Sequence, residues 1–348
     1  MTIRTLALSL TLCTTATLLI AQNTTGISFK SKSGDFEISN ITDQLFEANP
    51  QTNAFDFEFT GKPLRGRSST QKIAFTASRA TGQIRSGKDG TMYLLKANLT
   101  GSVDVTQNPG TSEEVQITSP SMTISEAANR SSATINFPGP VTIHAKSPTT
   151  KITAAGGSAS LDGSANTNRE LRNVKLSGTV NATITQDGTT NLITTGLDLD
   201  QAANSSSFTL SRPFTLTNNS KNPSGQPQKV ILKATAGTIT TPNITKPSSG
   251  RPITTANLRG RVTIDFTGTD KDGSPVELSA SGDRLTMDAK GEILLIGNVK
   301  ITGNGLDYQS DGESQTVYIL VNEQMEPTRY GARGNPTKVN IKPDGGKP

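Results

Sequence analysis

Past residue 26 the chain alternates. Val141 and Ile143 alternate with Thr142 and His144, Val299 and Ile301 with Lys300 and Thr302, and Leu285, Met287 and Ala289 with Thr286 and Asp288. A period of two places every second side chain on one face, the mark of a strand buried on one side and solvated on the other. Gly, Asn, Asp and Pro punctuate the gaps, as at Asp272-Gly273, where tight turns are expected. No stretch carries a sustained helical stripe, and the density of Thr and Val agrees with strand preference. NNSKNPSGQPQ (218–228) and TPNITKPSSGRP (241–252) read as long loops. The pattern predicts an all-β chain with little or no helix.

The alternation recurs at a fixed step. KIAFTASRATGQI (72–84), KITAAGGSASL (151–161) and KVILKATAGTI (229–239) start 79 and 78 residues apart. NLTGSVDV (98–105), KLSGTVNA (175–182) and NLRGRVTI (257–264) carry Gly101, Gly178 and Gly260, 77 and 82 apart. A third set is residues 36–49, 115–129, 191–204 and 276–290; a fourth is 53–64, 132–143, 206–216 and 291–301. The sets keep one order, so the chain reads as about four tandem copies of a unit of roughly 78 residues, each of five or six strands. The copies start near Gly26, Gly101, Gly178 and Gly260, and the last departs from the pattern after Ile301. Repeats that bury their faces only by stacking predict an elongated body. The expected organisation is residues 26–177 for repeats 1 and 2, 178–331 for repeats 3 and 4, and a tail over 332–348.

Composition sharpens this picture. Of 348 residues only 32% are hydrophobic and 4% aromatic, with no Trp. Such a content ordinarily points toward disorder, but the regular spacing of the few apolar residues argues for a thin interior between sheets. The net charge of +5 comes from a small imbalance, without a run of five or more basic residues. Nucleic-acid binding is therefore not indicated.

The first 25 residues differ from the rest. MTIR is a positive start, LALSLTLCTTATLLIA (6–21) an uncharged apolar run, and QNTTG turns polar. This is the pattern of a secretory signal peptide ending near Ala21. The alternative is an uncleaved anchor, for which the run falls short of the roughly 20 residues of a membrane span. Leu12 stands where a lipoprotein signal needs a small residue before Cys13, the single cysteine. The exported part is then expected to have no disulfides.

One stretch has a relative. ASGDRLTMDAKGEILLIGNVKITGNG (280–305) resembles the repeat of the OstA-like, or organic-solvent-tolerance, domain. That domain builds the periplasmic bridge proteins of lipopolysaccharide transport, the Lpt A and C components. Asp283, Leu285, Asp288, Gly297, Asn298, Val299 and Ile301 fit its pattern, and LDYQSDGESQTVYILV (306–321) looks like the next strand pair. The match is best over 276–321. Elsewhere Gly139-Pro140-Val141 stands where Gly-Asn-Val is usual, and Arg212-Pro213-Phe214 departs further. The chain is about twice the family's usual length.

The resemblance implies a folded-sheet β-jellyroll whose apolar interior shelters acyl chains, with strand edges at its ends. It implies a periplasmic protein that handles lipopolysaccharide or a similar lipid, with no cofactor and no catalytic residue. Its partners are then other components of lipopolysaccharide transport, or further copies of itself, joined end to end by strand pairing. The alternating apolar positions Val103, Val105, Val115, Ile117, Ile135, Phe137, Val141, Ile143, Leu285, Met287, Ile293, Leu295, Val299 and Ile301 are expected to face the interior. They are either sealed core or lipid-contacting groove.

Reactive constellations are sparse. His144 is the single histidine and falls opposite Val141 and Ile143, a surface position. A zinc site lacks His and Cys partners for it, and no Gly-x-Ser-x-Gly elbow feeds it as a base. Glu113-Glu114, Asp198 with Asp200, and Asp270 with Asp272 are acidic pairs of the kind that cleave polysaccharides; Asp198 and Asp200 share one strand face. Solvated turn or outer-face positions are the favoured account of them. The second reading of the chain is accordingly an exported β-repeat protein for adhesion or polysaccharide binding, with glycan cleavage as its enzymatic form.

Overall fold

Antiparallel strands laid side by side make up nearly all of the computed structural model, and among the described residues there is no helix. The structure describes residues 21–23, 26–30, 36–49, 51, 54–69, 72–86, 92–163, 170–186, 188–222, 224–245, 251–269, 273–303, 306–310, 312, 316–321, 327–333 and 338–341. The chain is all-β, as the alternation predicts. It divides into two compact units, Met1–Val141 with Gly157–Leu171, and Thr142–Gly156 with Arg172–Pro348.

In the first unit the chain runs back and forth through Ala21–Asn23, Gly26–Lys30, Phe36–Asn49, Ala54–Ser68, Ile73–Ser86, Met92–Gln107, Val115–Glu126 and Ser132–Phe137. Each strand pairs with the next. Ser132–Phe137 pairs on its other side with residues 157–162.

The second unit follows the same plan with the strands visibly cut in two. Thr149–Ala154 pairs with Glu170–Thr185, which pairs with Thr189–Gln201. Thr189–Gln201 then carries two short strands end to end, Phe214–Lys221 along its first half and Ser205–Leu210 along its second. These pair in turn with Pro227–Ala234 and Ala236–Pro242, and both of the latter rest on the single strand Thr255–Thr269. Pro275–Met287 comes next, and the division recurs with Glu292–Ile296 and Lys300–Gly303. Thr316–Val321 and Leu306–Gln309 follow, then Pro327–Arg333 and Lys338–Ile341.

The cut is the organising feature, because uncut strands break register at the same place. Between Thr100 and Val103, Gly101-Ser102 oppose the single residue Pro120. Between Leu176 and Thr179, Ser177-Gly178 oppose Gly196. Between Arg259 and Val262, Gly260-Arg261 oppose Asp283. Two residues against one is a β-bulge, which bends the strand and raises its twist. The bend needs a backbone turned to positive φ, which only Gly adopts at little cost. Gly101, Gly178 and Gly260 have φ of 80°, 71° and 75°.

The neighbouring strand presses against each bend. A Cβ on Gly101 would lie 2.6 Å from Ser78 Cβ, one on Gly178 2.5 Å from Ala155 Cβ, and one on Gly260 2.7 Å from Thr235 Cβ. Hydrogen bonds seal the same contacts. Ala155 N–H donates to Ser177 O at 3.1 Å, and Thr235 Oγ1 donates to Gly260 O at 2.6 Å. The bends therefore align from strand to strand, and the sheet of each unit folds along that line.

On both sides of the line the same face is buried. Val174 and Leu176 precede the Gly178 bend and Val180 and Ala182 follow it, all 5% exposed or less. In the first unit Phe57 and Phe59, their rings stacked at 5.2 Å, lie before the bend at Gly61 and Leu64 after it. The four sequence sets fall on this scaffold in order. Residues 36–49, 115–129, 191–204 and 276–290, for example, fall on the strands Phe36–Asn49, Val115–Glu126, Thr189–Gln201 and Pro275–Met287.

Two segments read as long loops are otherwise. Most of 218–228 belongs to paired strands, with Asn218 opposite Val230 and Ser220 opposite Gln228. The connection is short because Asn222 holds it: its Oδ1 accepts the Gln226 N–H and its carbonyl the Gly225 N–H, both at 2.8 Å. In 241–252, residues 243–244 are buried at 6% and 4% exposure; residues 246–250 lie outside the described ones, as does the turn residue Asp272.

Gly178 and Gly110 separate the two demands on such a glycine. Both have positive φ, 71° and 79°, but nothing lies within 4 Å of a Cβ at Gly110. Gly110→Ala is expected to cost only the conformational term of about 1–2 kcal/mol. Gly178→Ala adds the collision with Ala155 and is expected to lower the urea midpoint clearly further, as followed by circular dichroism.

Candidate functional site

The apolar side chains that alternation points inward do face the interior. Of the positions expected there, Val103, Val105, Val115, Ile117, Ile135, Phe137, Val141, Ile143, Leu285, Met287, Leu295, Val299 and Ile301 are all 7% exposed or less. Ile293 is half-buried, at the outer end of its strand opposite Met287. The register sets them beside one another within each unit. Val105 lies opposite Ile117, Ile124 opposite Ile135, Leu285 opposite Leu295, and Ala280 opposite Ile301.

Other inner-face residues went unforeseen, among them Leu64, Met122, Val174, Val180, Leu210 and Leu258, each 1% exposed or less. Their signal was hidden by the bends. Val115, Ile117 and Ser119 face inward, and past Pro120 the inward parity switches to Met122. A single inserted residue flips which positions are inside, so a strict period of two loses the strand at its bend.

The interior of the second unit lies between its two half-sheets, and one connection touches both. Ile244 N–H donates to Ser206 Oγ at 3.1 Å, and Thr150 Oγ1 donates to Ile244 O at 3.1 Å. Ser206 belongs to Ser205–Leu210, on one side of the fold line. Thr150 belongs to Thr149–Ala154, on the other. Buried polar side chains gather at this peptide. Ser206, Thr150 and Gln201 are 0%, 1% and 5% exposed.

The residues that carry the family resemblance hold the frame. Asp283 Oδ2 accepts Asn298 Nδ2–H at 2.8 Å, and Asp283 N–H donates to Gly297 O at 3.0 Å. Asp288 Oδ1 accepts the N–H groups of Lys290 at 2.9 Å and Glu292 at 2.8 Å, closing the turn between Pro275–Met287 and Glu292–Ile296. Gly297 and Asn298 take φ of 75° and 45°. Asp, Gly and Asn at these places make a bend and a turn.

His144 is half-exposed on the outer face of Val141–Ala145. Asp198 and Asp200 point outward together and are exposed, opposite Thr209 and Ser207. Glu114 Oε2 accepts the Gly110 N–H at 2.6 Å in a turn, and Asp270 and Asp272 lie outside the described residues. Among the described residues no three His, Cys, Asp or Glu side chains gather to hold a metal.

The outer face of the first unit carries a concavity that the sequence did not announce. A cleft of about 640 Å³ is lined by Glu37, Ser39, Arg65, Gly66, Arg67, Ala74, Phe75, Thr76, Asp104 and Thr106. Register explains the cluster, since Glu37, Arg67, Ala74 and Thr106 form one cross-strand row and Ser39, Arg65, Thr76 and Asp104 the next. Arg67 Nη2 pairs with Glu37 Oε2 at 3.3 Å. Asp104 accepts hydrogen bonds from Thr106 Oγ1 at 3.2 Å and from Gln116 Nε2. Among the described residues no carboxylate pairs with Arg65.

Set against known proteins, the chain matches no protein-family model, no curated protein and no solved structure.

The contrast between interior and outer face is measurable. Leu258, fully buried between Gly237 and Leu285, is expected to cost about 2–5 kcal/mol on Leu258→Ala. Asp198→Asn with Asp200→Asn, at exposed positions, is expected to stay within about 0.5 kcal/mol. Denaturant unfolding of each variant gives both values.

Proposed function

We propose that the protein is an exported lipid-carrying bridge of the OstA-like kind. It shelters the acyl chains of lipopolysaccharide or a similar lipid in its interior while the head group stays in water. The observation that carries this reading is the buried apolar face that continues across every bend within each unit. Val174, Leu176 and Val180, or Leu285, Leu295, Val299 and Ile301, form one hydrocarbon-lined surface on a sheet folded over itself. Hydrocarbon needs only such a surface, because the driving force is non-directional and scales with the area withdrawn from water. The resemblance over residues 276–321 and the signal-like N-terminus add the periplasmic setting and the transport partners. In this reading the protein is not an enzyme, and its ends join other transport components, or copies of itself, by strand pairing. A photo-reactive phenylalanine analogue at Met287 or Ile301 is expected to form lipopolysaccharide adducts, and one at Asp200 none. Interior positions that yield no adduct in a folded protein would overturn the proposal.

The outer cleft favours a second reading, contact with a glycan. Its charged groups and the hydroxyls of Ser39, Thr76 and Thr106 match the mix of donors and acceptors that a sugar presents, and Arg65 is left over for an acidic substituent. A charge-assisted hydrogen bond contributes about 1.5–3 kcal/mol. Arg65→Ala is therefore expected to weaken binding of an acidic oligosaccharide at least about tenfold by isothermal titration. An array of acidic glycans on which the wild-type protein binds nothing would remove this reading.

A further inference from the structure

We propose that residues 242–245 are a displaceable plug in the interior of the second unit, and that the seat beneath them takes the ester or amide end of an acyl chain. This inference rests on the lipid-carrying reading. After Ala236–Pro242 the chain turns inward between the half-sheets instead of out to solvent, and Asn243 and Ile244 are 6% and 4% exposed.

The plug is held by a few specific bonds. Asn243 Nδ2 donates to Ala202 O at 2.7 Å and Asn243 N–H to Asn204 O at 3.2 Å. Asn243 Oδ1 accepts Thr245 N–H and Thr245 Oγ1–H, each at 2.8 Å, which curls the segment back on itself. The Ile244 peptide is tied to Ser206 on one half-sheet and to Thr150 on the other. A peptide inside an apolar space is costly unless both its groups are bonded.

The two hydroxyls that bond it occupy inner-face positions whose neighbours along the strand are apolar. Thr150 precedes Ile152 and Ala154, and Ser206 precedes Phe208 and Leu210. Hydroxyls placed there serve a carbonyl and an N–H lying between the sheets. The seat also holds a donor beyond what the plug uses. Gln201, directly opposite Ser206, is 5% exposed and its Nε2 has no partner among the described residues. A buried unsatisfied donor is destabilising, and this one lies opposite Ser206, which bonds the plug, with no acceptor among the described residues.

An acyl ester or amide supplies what the seat lacks. Its hydrocarbon takes the volume of the Ile244 side chain, and its carbonyl oxygen accepts from Gln201, Thr150 or Ser206. Plug and lipid then compete for one place, and a seated plug lowers the apparent affinity by the fraction of time the seat is closed.

The test uses the full chain carrying Cys13→Ser, with a fluorescent monoacylglycerol as probe. Ile244→Gly, which leaves the seat intact and removes its hydrocarbon cover, is expected to tighten binding about tenfold if the plug is seated nine-tenths of the time. Asn204→Cys with Asn243→Cys, joined through two disulfides by a short bis-methanethiosulfonate, is expected to abolish this binding and to restore it when the linker is reduced off. Gln201→Leu is expected to weaken the ester probe while leaving a labelled alkane of equal length unchanged. Unchanged affinity in Ile244→Gly with a native circular dichroism spectrum overturns the proposal, and so does unchanged binding in the crosslinked protein. Lipid adducts at Met287 or Ile301 together with either result would leave the lipid-carrying reading standing and the plug alone rejected. Probe binding by no variant, with no adducts, rejects both.

Discussion

A strand with one apolar face has to cover that face, and these sheets do so by bending. The strands run to 16 residues, as in Met92–Gln107 and Glu170–Thr185. A flat sheet of such strands would leave one side greasy and wet. Folding every strand near its middle sets one half of the apolar face against the other. The constraint then concentrates at the fold line, where the side chains of Ser78, Ala155 and Thr235 press so closely that Gly101, Gly178 and Gly260 have room for no Cβ. Side chains elsewhere vary because the bend is fixed by backbone conformation and by the bulge.

The bend also explains how so little hydrophobic material suffices. Each strand contributes a few apolar residues on each side of its bend, all on one face, and the opposite face is free to be Thr, Ser, Asn and charge. Small inner residues such as Ala154, Ala234 and Ala236 flank the line beside larger ones such as Leu176, Val180 and Leu210. At the bend itself the hydrogen bonds of a continuous ladder are interrupted, and side chains make up the loss. Asp283 with Asn298, Ser78 with Gly101, and Thr235 with Gly260 are three solutions to that problem.

Much of this frame could be read in the sequence, because the property that builds it is local. Alternation at Val141–Ile143 or Leu285–Met287 marks strands directly, and the recurrence of Gly101, Gly178 and Gly260 marked positions that proved to be bends. The location of the bends within strands was not legible. Leu176-Ser177-Gly178-Thr179 looks like a turn between two strands, yet it lies inside one strand, and only the partner's register shows two residues facing Gly196. Stretches rich in Pro and Asn misled for a related reason. Asn218 and Ser220 are polar but pair with a strand, and in Asn243 polarity serves the interior: its amide caps backbone groups that only tertiary structure brings near. The outer cleft was invisible because Glu37, Arg67, Ala74 and Thr106 come from four strands and meet only through register.

The polar seat in the second unit is where local consistency fails, and that failure is informative. Hydroxyls at Thr150 and Ser206 and an amide at Gln201 replace apolar side chains at inward positions. If sealing the core were the only demand, Val, Ala and Leu would pack there without needing partners, since a polar network that is fully satisfied gains little over hydrophobic packing and an incomplete one loses to it. The network here is incomplete at Gln201. It is bonded to a four-residue segment at the end of a strand, which a small number of hydrogen bonds holds in place. Such an arrangement suits a group that lies between the two halves and carries a carbonyl. In this structure that group is the peptide of Ile244.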